Sequence, residues 1–425
     1  MKVLVVGSGA REHAIAWKLR QSPTLGDLFV APGNAGTAAI ATNLDIKASD
    51  IDAIVAGARD HAIDLVVVGP EDPLARGLVD RLQEAGIAAF GPTKAAAQIE
   101  ASKAFSRDLM DRHGIPAPVA ASFDNPREAR NYAEAHPGPI VVKASGLAAG
   151  KGAIVCDNTE QALAAIDAIM GNAAFGSAGD TIVIQERLSG REVSAHAFTD
   201  GTAVSPMPFA CDYKRIYDGD EGPNTGGIGA YSPPGWLDEA LEPYIHEQIT
   251  EATIAAMAAD GTPFSGTLYP GLFITPDGLR VIEYNCRLGD PEAQVLIPRL
   301  QSDLLDICLA VANGTLAECD IRWSTDAAVG VVIASGGYPG DFKTGYPIAG
   351  LDSLDDDVIV FHAGTRRDDE GRAVTSGGRV LTVVATAPSL TEARAKVYRN
   401  VQRIHFTNAY YRRDIAAPAQ NARVD

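Results

Sequence analysis

Three stretches of this chain hold side chains that could do chemistry. Cys211–Pro233 packs four carboxylates (Asp212, Asp218, Asp220, Glu221), two cations (Lys214, Arg215) and five glycines into one segment. It has none of the apolar spacing of a buried strand or helix, so it is expected to be a loop outside the core. Long ordered loops of such composition commonly bind substrate, the plainer alternative being a solvated excursion. Lys143–Gly152 is a glycine-rich loop with Lys143 at its entry and Lys151 near its exit. It is not a Walker A loop, because three residues separate Gly146 from Gly150, no Ser or Thr follows Lys151, and a strand comes next. Such a loop between strands can fold over a polyphosphate, its N–H groups and lysine supplying donors, or it can be a hairpin tip with no ligand. Arg280–Arg287 alternates as a strand does, which puts Glu283, Asn285 and Arg287 on one face and Ile282, Tyr284 and Cys286 on the other. Glu and Asn oxygens suit Mg²⁺ held together with substrate phosphates, although a solvated sheet face alternates in the same way. The turn Gly289-Asp290-Pro291-Glu292 then adds two more carboxylates.

Two weaker signals flank these. Gly7-Ser-Gly-Ala-Arg-Glu12 follows a strand and opens a helix, but Glu12 stands where a dinucleotide fold needs its third glycine. The second strand also ends without an acidic residue for a ribose hydroxyl. What remains is a helix N-terminus with Arg11 beside it, an anion site suited to one phosphate, or else a structural tight turn. Gln185–Glu192 joins two strands. Glu186 and Leu188 could meet a purine edge through the backbone and Glu192 a ribose, or the segment could be an ordinary charged hairpin.

The elements that must position these groups are legible in outline. Strand and helix alternate over the first hundred residues: Lys2–Val6, a helix Arg11–Arg20, Asp27–Val30, a helix Asp50–Ala62, Asp64–Val68, a helix Leu74–Ala85 and Ala88–Phe90. That pattern predicts a doubly wound parallel sheet with ligands at the carboxyl ends of its strands. Ser102 caps a helix that Gly114 and Pro116 end. Antiparallel strands follow (Ile140–Lys143, Ala153–Cys156, Thr181–Gln185, Glu192–Thr199, Gly266–Thr275, Leu279–Asn285), with a helix over Gln161–Met170. A C-terminal unit begins near Asp326, and its helix sets Ala393, Val397, Val401 and Ile404 on one face. The expectation is therefore an α/β and α+β multidomain chain: a doubly wound substrate-binding domain at 1–101, a two-lobed domain at 102–325 whose small lobe spans about 119–190, and an α+β domain at 326–425.

Size and charge bound the function classes. A chain of 425 residues exceeds one core and suits roughly three domains of about 100–200 residues each. A net charge of −18 disfavours nucleic acid, which needs a basic footprint. No apolar run reaches the roughly 18 residues of a membrane span, and the N-terminal apolar run is too short for a signal peptide, so a cytoplasmic location is expected. Five scattered cysteines without a Cys-x-x-Cys pair argue against disulfide and zinc frameworks.

Taken together, Gly7–His13, Lys143–Gly152, Asp212–Pro233 and Tyr284–Glu292 closely resemble the phosphoribosylamine–glycine ligases, an ATP-grasp family of purine synthesis, and the likeness runs almost end to end. The resemblance implies a central ATP-grasp fold and ATP-driven joining of glycine to 5-phosphoribosylamine, giving glycinamide ribonucleotide, ADP and phosphate through a glycyl phosphate. It implies Glu283 and Asn285 as ligands of Mg²⁺ or Mn²⁺. ATP would be met by Lys103, Lys143, Ser145, Gly146, Ala149, Gly150 and Lys151, and its adenosine by Glu186, Leu188 and Glu192. Gly9, Arg11, Glu12, Asn34, Gly36 and Glu71 would line the ribosylamine site. Lys214, Asn224, Thr225, Gly226 and Gly227 would wall the amino-acid side with Gly289, Asp290, Pro291 and Glu292. Arg287, Lys143 and Asp212 would carry the catalysis. A transient contact with the amidotransferase that makes the ribosylamine is compatible with this, and no membrane or nucleic-acid partner is expected. The chain departs from the family pattern at Leu288, where Phe is usual, and after Asp414-Ile415, where a glycine often follows. A nicotinamide-dependent dehydrogenase, another ATP-grasp ligase or carboxylase, and a catalytically silent binding protein are the rival readings.

Overall fold

The computed structural model describes residues 1–148, 152–171 and 176–417. Both faces of the apolar runs Val3–Val6 and Leu65–Val68 are buried, which requires cover front and back and so favours a parallel sheet between helices. Five parallel strands stand in the order Thr42–Asn43, Leu28–Pro32, Val3–Gly7, Leu65–Val68, Ala88–Phe90. Strand order reverses at Val3–Gly7, and a crevice opens beyond the carboxyl ends there. The single helix expected over Leu74–Ala85 is two, Glu71–Ala75 and Leu78–Glu84, with Gly77 at φ +87° between them. A Cβ disfavours that left-handed backbone, and glycine supplies the break.

A small lobe follows. Its four antiparallel strands run in the order Ala120–Phe123, Ile182–Glu186, Ile140–Ala144, Ala153–Cys156. Helices Pro126–Ala135 and Thr159–Ile166 close a core of their own around Ala129, Ala133, Val142, Ile166 and Ile184. A second antiparallel sheet pairs Arg191–Ser194 and Ala197–Thr199 with Gly266–Thr275, which also pairs with Gly278–Asn285. The strand expected over Glu192–Thr199 is thus two pieces on one partner. A register shift at Gly271–Leu272 leaves Ile282 without an opposite residue, so Val281, Tyr284 and Cys286 are the buried set and the strict alternation expected through Ile282 breaks at the bulge.

Cys211–Pro233 is not the coreless loop that its polarity suggests. Cys211–Asp212 pairs with Gly229–Ser232, and Arg215–Tyr217 with Glu221–Asn224 as a two-stranded ribbon. Cys211, Ile216, Ile228 and Tyr231 join the main core. These anchors are too far apart in sequence to form a period, so polarity hid them. Gly229–Ser232 then pairs with Ala327–Ser335, whose sheet also takes in Arg379–Ala387, Val358–His362 and Ala409–Tyr410. Helix Leu390–Val401 buries Ala393, Val397 and Val401, the face its spacing predicts. Among the described residues no helix is long and apolar enough to cross a membrane.

The first and last units meet at two imidazoles. The His362 backbone N–H donates to His13 Nδ1 (2.8 Å), and the rings lie 5.7 Å apart. Burial lowers His13 to about 3, with His362 adding to the effect, and burial lowers His362 to about 4, with Arg367 adding. An imidazole of the unfolded chain titrates near 6.5, so the unfolded state takes up these protons first. The stabilisation is complete above about 6.5 and is lost as pH falls toward the folded values. The melting temperature should therefore fall between about pH 7 and 5.5, and fall less steeply in His13→Gln. A variant slope equal to that of the wild type would assign the acid sensitivity elsewhere.

Candidate active site

The polar groups that sequence analysis singled out converge where the two lobes face each other. Glu283 lies on strand Gly278–Asn285, with Asn285 two residues on. Lys143, from the small-lobe strand Ile140–Ala144, reaches across to donate to Ile282 O (3.1 Å). Lys103, first in its helix, has Nζ 3.5 Å from Gly146 O. Lys214 pairs with Glu192 and lies 3.6 Å from Glu283. Burial alone would raise Glu283, but Lys214, Lys143 and Lys103 overcome it and bring the carboxyl down to about 2. Burial lowers Lys143 to about 8, partly offset by Glu283, with Lys103 and Lys214 lowering it further. An ionised carboxylate beside an amide side chain, with lysines around them, fits a hard divalent cation whose remaining ligands are phosphate oxygens. Among the described residues no three His, Cys, Asp or Glu side chains cluster to hold a metal by themselves.

The loop residues divide by role. Buried Ser145 accepts from Ala104 N (3.1 Å), and its carbonyl accepts from Lys103 N (2.9 Å), so it fixes the start of the helix that carries Lys103. A Cβ on Gly146 would stand 2.6 Å from Ala178 Cα, so the close approach requires glycine. Ala149, Gly150 and Lys151 lie outside the described residues. Glu186 is exposed and accepts from Val119 N (2.8 Å), Leu188 is half-buried, and Glu192 faces Lys214.

Asp212 and Lys214 enter the site from the ribbon. Burial, then the carboxylates Glu292, Glu192 and Glu283, raise Asp212 well above the usual range against the pull of Lys214. Thr225 Oγ1 donates to Lys214 O (2.8 Å) and accepts from Gly227 N (3.0 Å), which closes the base of the ribbon, while Asn224 is exposed. Gly227 has φ +102° and leaves room for Pro291, whose Cδ would lie 2.3 Å from a Cβ there. Arg287 donates to Glu71 (3.1 Å) and Glu100 (2.8 Å), so two carboxylates fix its guanidinium. Glu100, which also accepts from Cys286 N (2.8 Å), had no local signal, standing as one acid in an alanine-rich helix.

The first loop is built around Glu12. Its carboxylate accepts from Gly9 N (2.6 Å) and pairs with Arg11 (2.6 Å), and Arg11 also donates to Leu288 O (3.1 Å). Both side chains are buried. The crowding expected from Glu12 is relieved by glycines: a Cβ on Gly7 would stand 2.5 Å from Glu12 Cγ, and one on Gly69 2.2 Å from Oε1. Asn34 donates to Ser8 O and His362 O and accepts from Gly36 N, while Gly36 leaves room for the His13 ring. Beyond this loop a cavity of about 370 Å³ is lined by Ser8, Gly9, Asn34 and Asp290 and, from the C-terminal unit, by Thr365 and Arg379. Arg379 donates to Asp290 (2.9 Å), Gly226 O (2.6 Å) and Gly227 O (3.4 Å). Arg379 carries no signal in the sequence, because nothing near it in the chain marks a ligand site.

A parallel sheet, a small antiparallel lobe and an antiparallel sheet facing it across lysines and an ionised glutamate define an ATP-grasp ligase. The Campylobacter jejuni biotin carboxylase crystal structure shares this fold at TM-score 0.75 and 18% identity, over 98% of this chain and 94% of that one. Residues 1–100, 101–293 and 328–418 match the N domain, the ATP-grasp (A) domain and the C domain of phosphoribosylglycinamide synthetase. The chain belongs to that family. It is 47% identical over 420 residues to the phosphoribosylamine–glycine ligase of Halalkalibacterium halodurans, covering 99% of this chain and 97% of that protein. It is 50% identical over 419 residues to the trifunctional purine biosynthetic protein adenosine-3 of Gallus gallus, covering 97% of this chain and 42% of the longer protein. The Thermotoga maritima phosphoribosylamine–glycine ligase crystal structure superposes at TM-score 0.86 and 33% identity, over 98% of this chain and all of that one.

Glu292 completes the site and gives a test of it. Tyr269 OH (2.5 Å) and Ser194 Oγ (3.3 Å) both donate to its Oε1, and His196 stacks on Tyr269. A Cβ on Gly289 would stand 2.5 Å from Glu292 Oε2. Gly289→Ala should displace the Glu292 carboxylate and lower turnover about tenfold or more, since small displacements of positioning groups carry such penalties. The melting temperature should also fall by a few degrees, because Gly289, Pro291 and Glu292 are buried between the core residues Leu288 and Ala293. Full activity with an unshifted melting point would release Glu292 from any part in the site.

Proposed function

We propose that the chain joins glycine to 5-phosphoribosylamine at the expense of ATP, through a glycyl phosphate. The observation that carries this reading is the convergence of Lys103, Lys143 and Lys214 on Glu283, Lys214 reaching it from the Asp212–Gly227 segment. A carboxylate is a poor acyl donor, because its leaving group would be oxide. A glycine carboxylate oxygen attacks the γ-phosphorus of ATP, the bond to the β-phosphate oxygen breaks, and ADP leaves. The ribosylamine nitrogen then attacks the carbonyl carbon, phosphate leaves with the C–O electron pair, and the nitrogen loses a proton as the amide forms.

Lys103 and Lys143 would neutralise the phosphates, since phosphoryl transfer needs chiefly position and charge compensation. Glu283 and Asn285 would hold Mg²⁺ or Mn²⁺, which supplies Lewis-acid polarisation of phosphate oxygens when bound. Glu186, Leu188 and Glu192 would meet the adenosine. The Ala144–Gly152 loop would cover the phosphates and keep water from the acyl phosphate. Lys214, Asp212 and the Gly289–Glu292 turn would receive glycine. Arg287, held by Glu71 and Glu100, would present positive charge to the acyl phosphate and its tetrahedral successor. The cavity at the ends of the parallel strands would take the phosphoribosyl group, with Ser8, Gly9 and Arg379 toward its phosphate. Arg11 and Glu12 would act from behind the loop, as the buried pair that fixes Gly9 and Leu288.

Glu283→Gln keeps the shape and removes the charge, and turnover should fall about a hundredfold or more. Manganese affinity, read by electron paramagnetic resonance in the presence of ADP, should weaken in parallel while the fold is retained. Near-wild-type activity at ordinary Mg²⁺ would end the metal assignment. Across a panel of amino acids with freshly generated ribosylamine, ADP release should require both glycine and the amine. Equal release with alanine or serine would reject the proposed amino-acid site.

A further inference from the structure

Arg412 is wholly buried, yet it lies far along the chain from every group assigned above. Its guanidinium donates to both oxygens of Asp414 (2.7 and 2.6 Å), to Asp220 Oδ1 (2.7 Å) and to Arg215 O (2.9 Å). The plane of the Tyr213 ring receives it at 4.6 Å. Neighbouring contacts repeat the link. The Arg413 backbone N–H donates to Asp218 Oδ1 (2.7 Å), Gly219 N to Asp414 Oδ2 (2.9 Å) and Ala416 N to Tyr213 OH (3.0 Å). Residues 412–416 of the C-terminal segment therefore grip residues 213–220 of the ribbon at several points.

The ribbon needs such a grip. Among the described residues its strands Arg215–Tyr217 and Glu221–Asn224 pair only with each other, and a two-stranded hairpin is marginal by itself in water. Lys214 stands between Tyr213 and Arg215, both of which Arg412 touches, so the clasp fixes the backbone from which Lys214 reaches Glu192 and Glu283. At the other end of the ribbon Arg379, also from the C-terminal unit, holds Gly226 and Gly227.

We propose that Arg412 is a positioning residue for the ligase reaction: with Asp220 and Asp414 it clasps the ribbon to the C-terminal segment and so aims Lys214 and Asp212 into the glycine and ribosylamine site. This rests on the reading of the ribbon as a wall of that site.

Removing Arg412 outright would empty a wholly buried site and could unfold the unit, so the clasp is best cut from its exposed side. Asp220 is 68% exposed and has φ +56°, a conformation that glycine accepts. The full-length variants Asp220→Gly, Asp218→Ala with Asp220→Gly, and Arg412→Lys are compared with wild type by hydrogen–deuterium exchange and steady-state kinetics. Asp220→Asn, which keeps the backbone preference and loses the charge, controls for glycine flexibility.

Exchange over 213–224 should quicken about tenfold, and KM for glycine and ribosylamine should rise about tenfold, while KM for ATP, felt through Glu192 and Glu283, rises only about threefold. Asp220→Asn should shift the same quantities in the same direction. Unchanged exchange in all variants overturns the clasp. Faster exchange with an unmoved KM for glycine, or an equal rise in all three KM values, overturns its positioning role. Failure of the functional reading would appear separately, as wild-type ADP release independent of glycine, and the exchange measurement would still decide the clasp.

Discussion

A carboxylate taken from water into a protein interior ordinarily picks up a proton, because burial disfavours its charged form. Glu283 does the reverse, and the reason is its company: Lys214, Lys143 and Lys103 reach it from the ribbon, from the small lobe and from the helix that begins after Ser102. Each cation is in turn held by the others' partners. Lys214 also faces Glu192, and Lys143 donates to the carbonyl beside Glu283. Glu283 and Lys214 keep about a third of their side-chain surface in water, so the carboxylate is held ionised by several cations together and not by one buried pair. It thus ties the two lobes and the ribbon to a single electrostatic requirement.

That requirement explains why the chain is not three independent beads. Gly229–Ser232 leaves the ribbon and enters the sheet that Ala327–Ser335 and Arg379–Ala387 complete. Arg379 on the last of these strands then returns to Asp290 and Gly226. The C-terminal unit therefore contributes to the site through backbone pairing, through one lining arginine and through the segment around Arg412. His13 and His362 join the first unit to the last through a direct backbone-to-ring hydrogen bond of 2.8 Å.

Much of this was legible in the chain. The parallel sheet followed from alternating apolar runs and helical spacings, and the face of helix Leu390–Val401 from its period. Lys143, Glu283 and Asn285 stood out because unusual residue types were concentrated over short spans. Glu100, Arg379, Arg412, Tyr269 and His196 did not stand out. Each acts through a partner tens to hundreds of residues away, and nothing in its own neighbourhood departs from an ordinary helix or strand. The ribbon was misjudged for a related reason: Ile216 and Ile228 anchor it to the core, but two such residues set no period. The bulge at Gly271–Leu272 likewise shifts burial by one residue without altering the local pattern.

Glu12 illustrates how such a scaffold is redirected. In a dinucleotide-binding turn the third glycine permits helix and strand to touch, and the N-terminal N–H groups face a pyrophosphate. Here a carboxylate of the helix itself takes Gly9 N–H, and glycines at 7 and 69 give up the space instead. The helix N-terminus is partly satisfied from within, so a doubly charged pyrophosphate loses its principal attraction. The Arg11 guanidinium balances Glu12 and holds Leu288 O, which links this turn to the segment that carries Arg287. Glu12 thus closes the turn to a pyrophosphate, while its neighbour Arg11 ties the first unit to the segment that follows strand Gly278–Asn285.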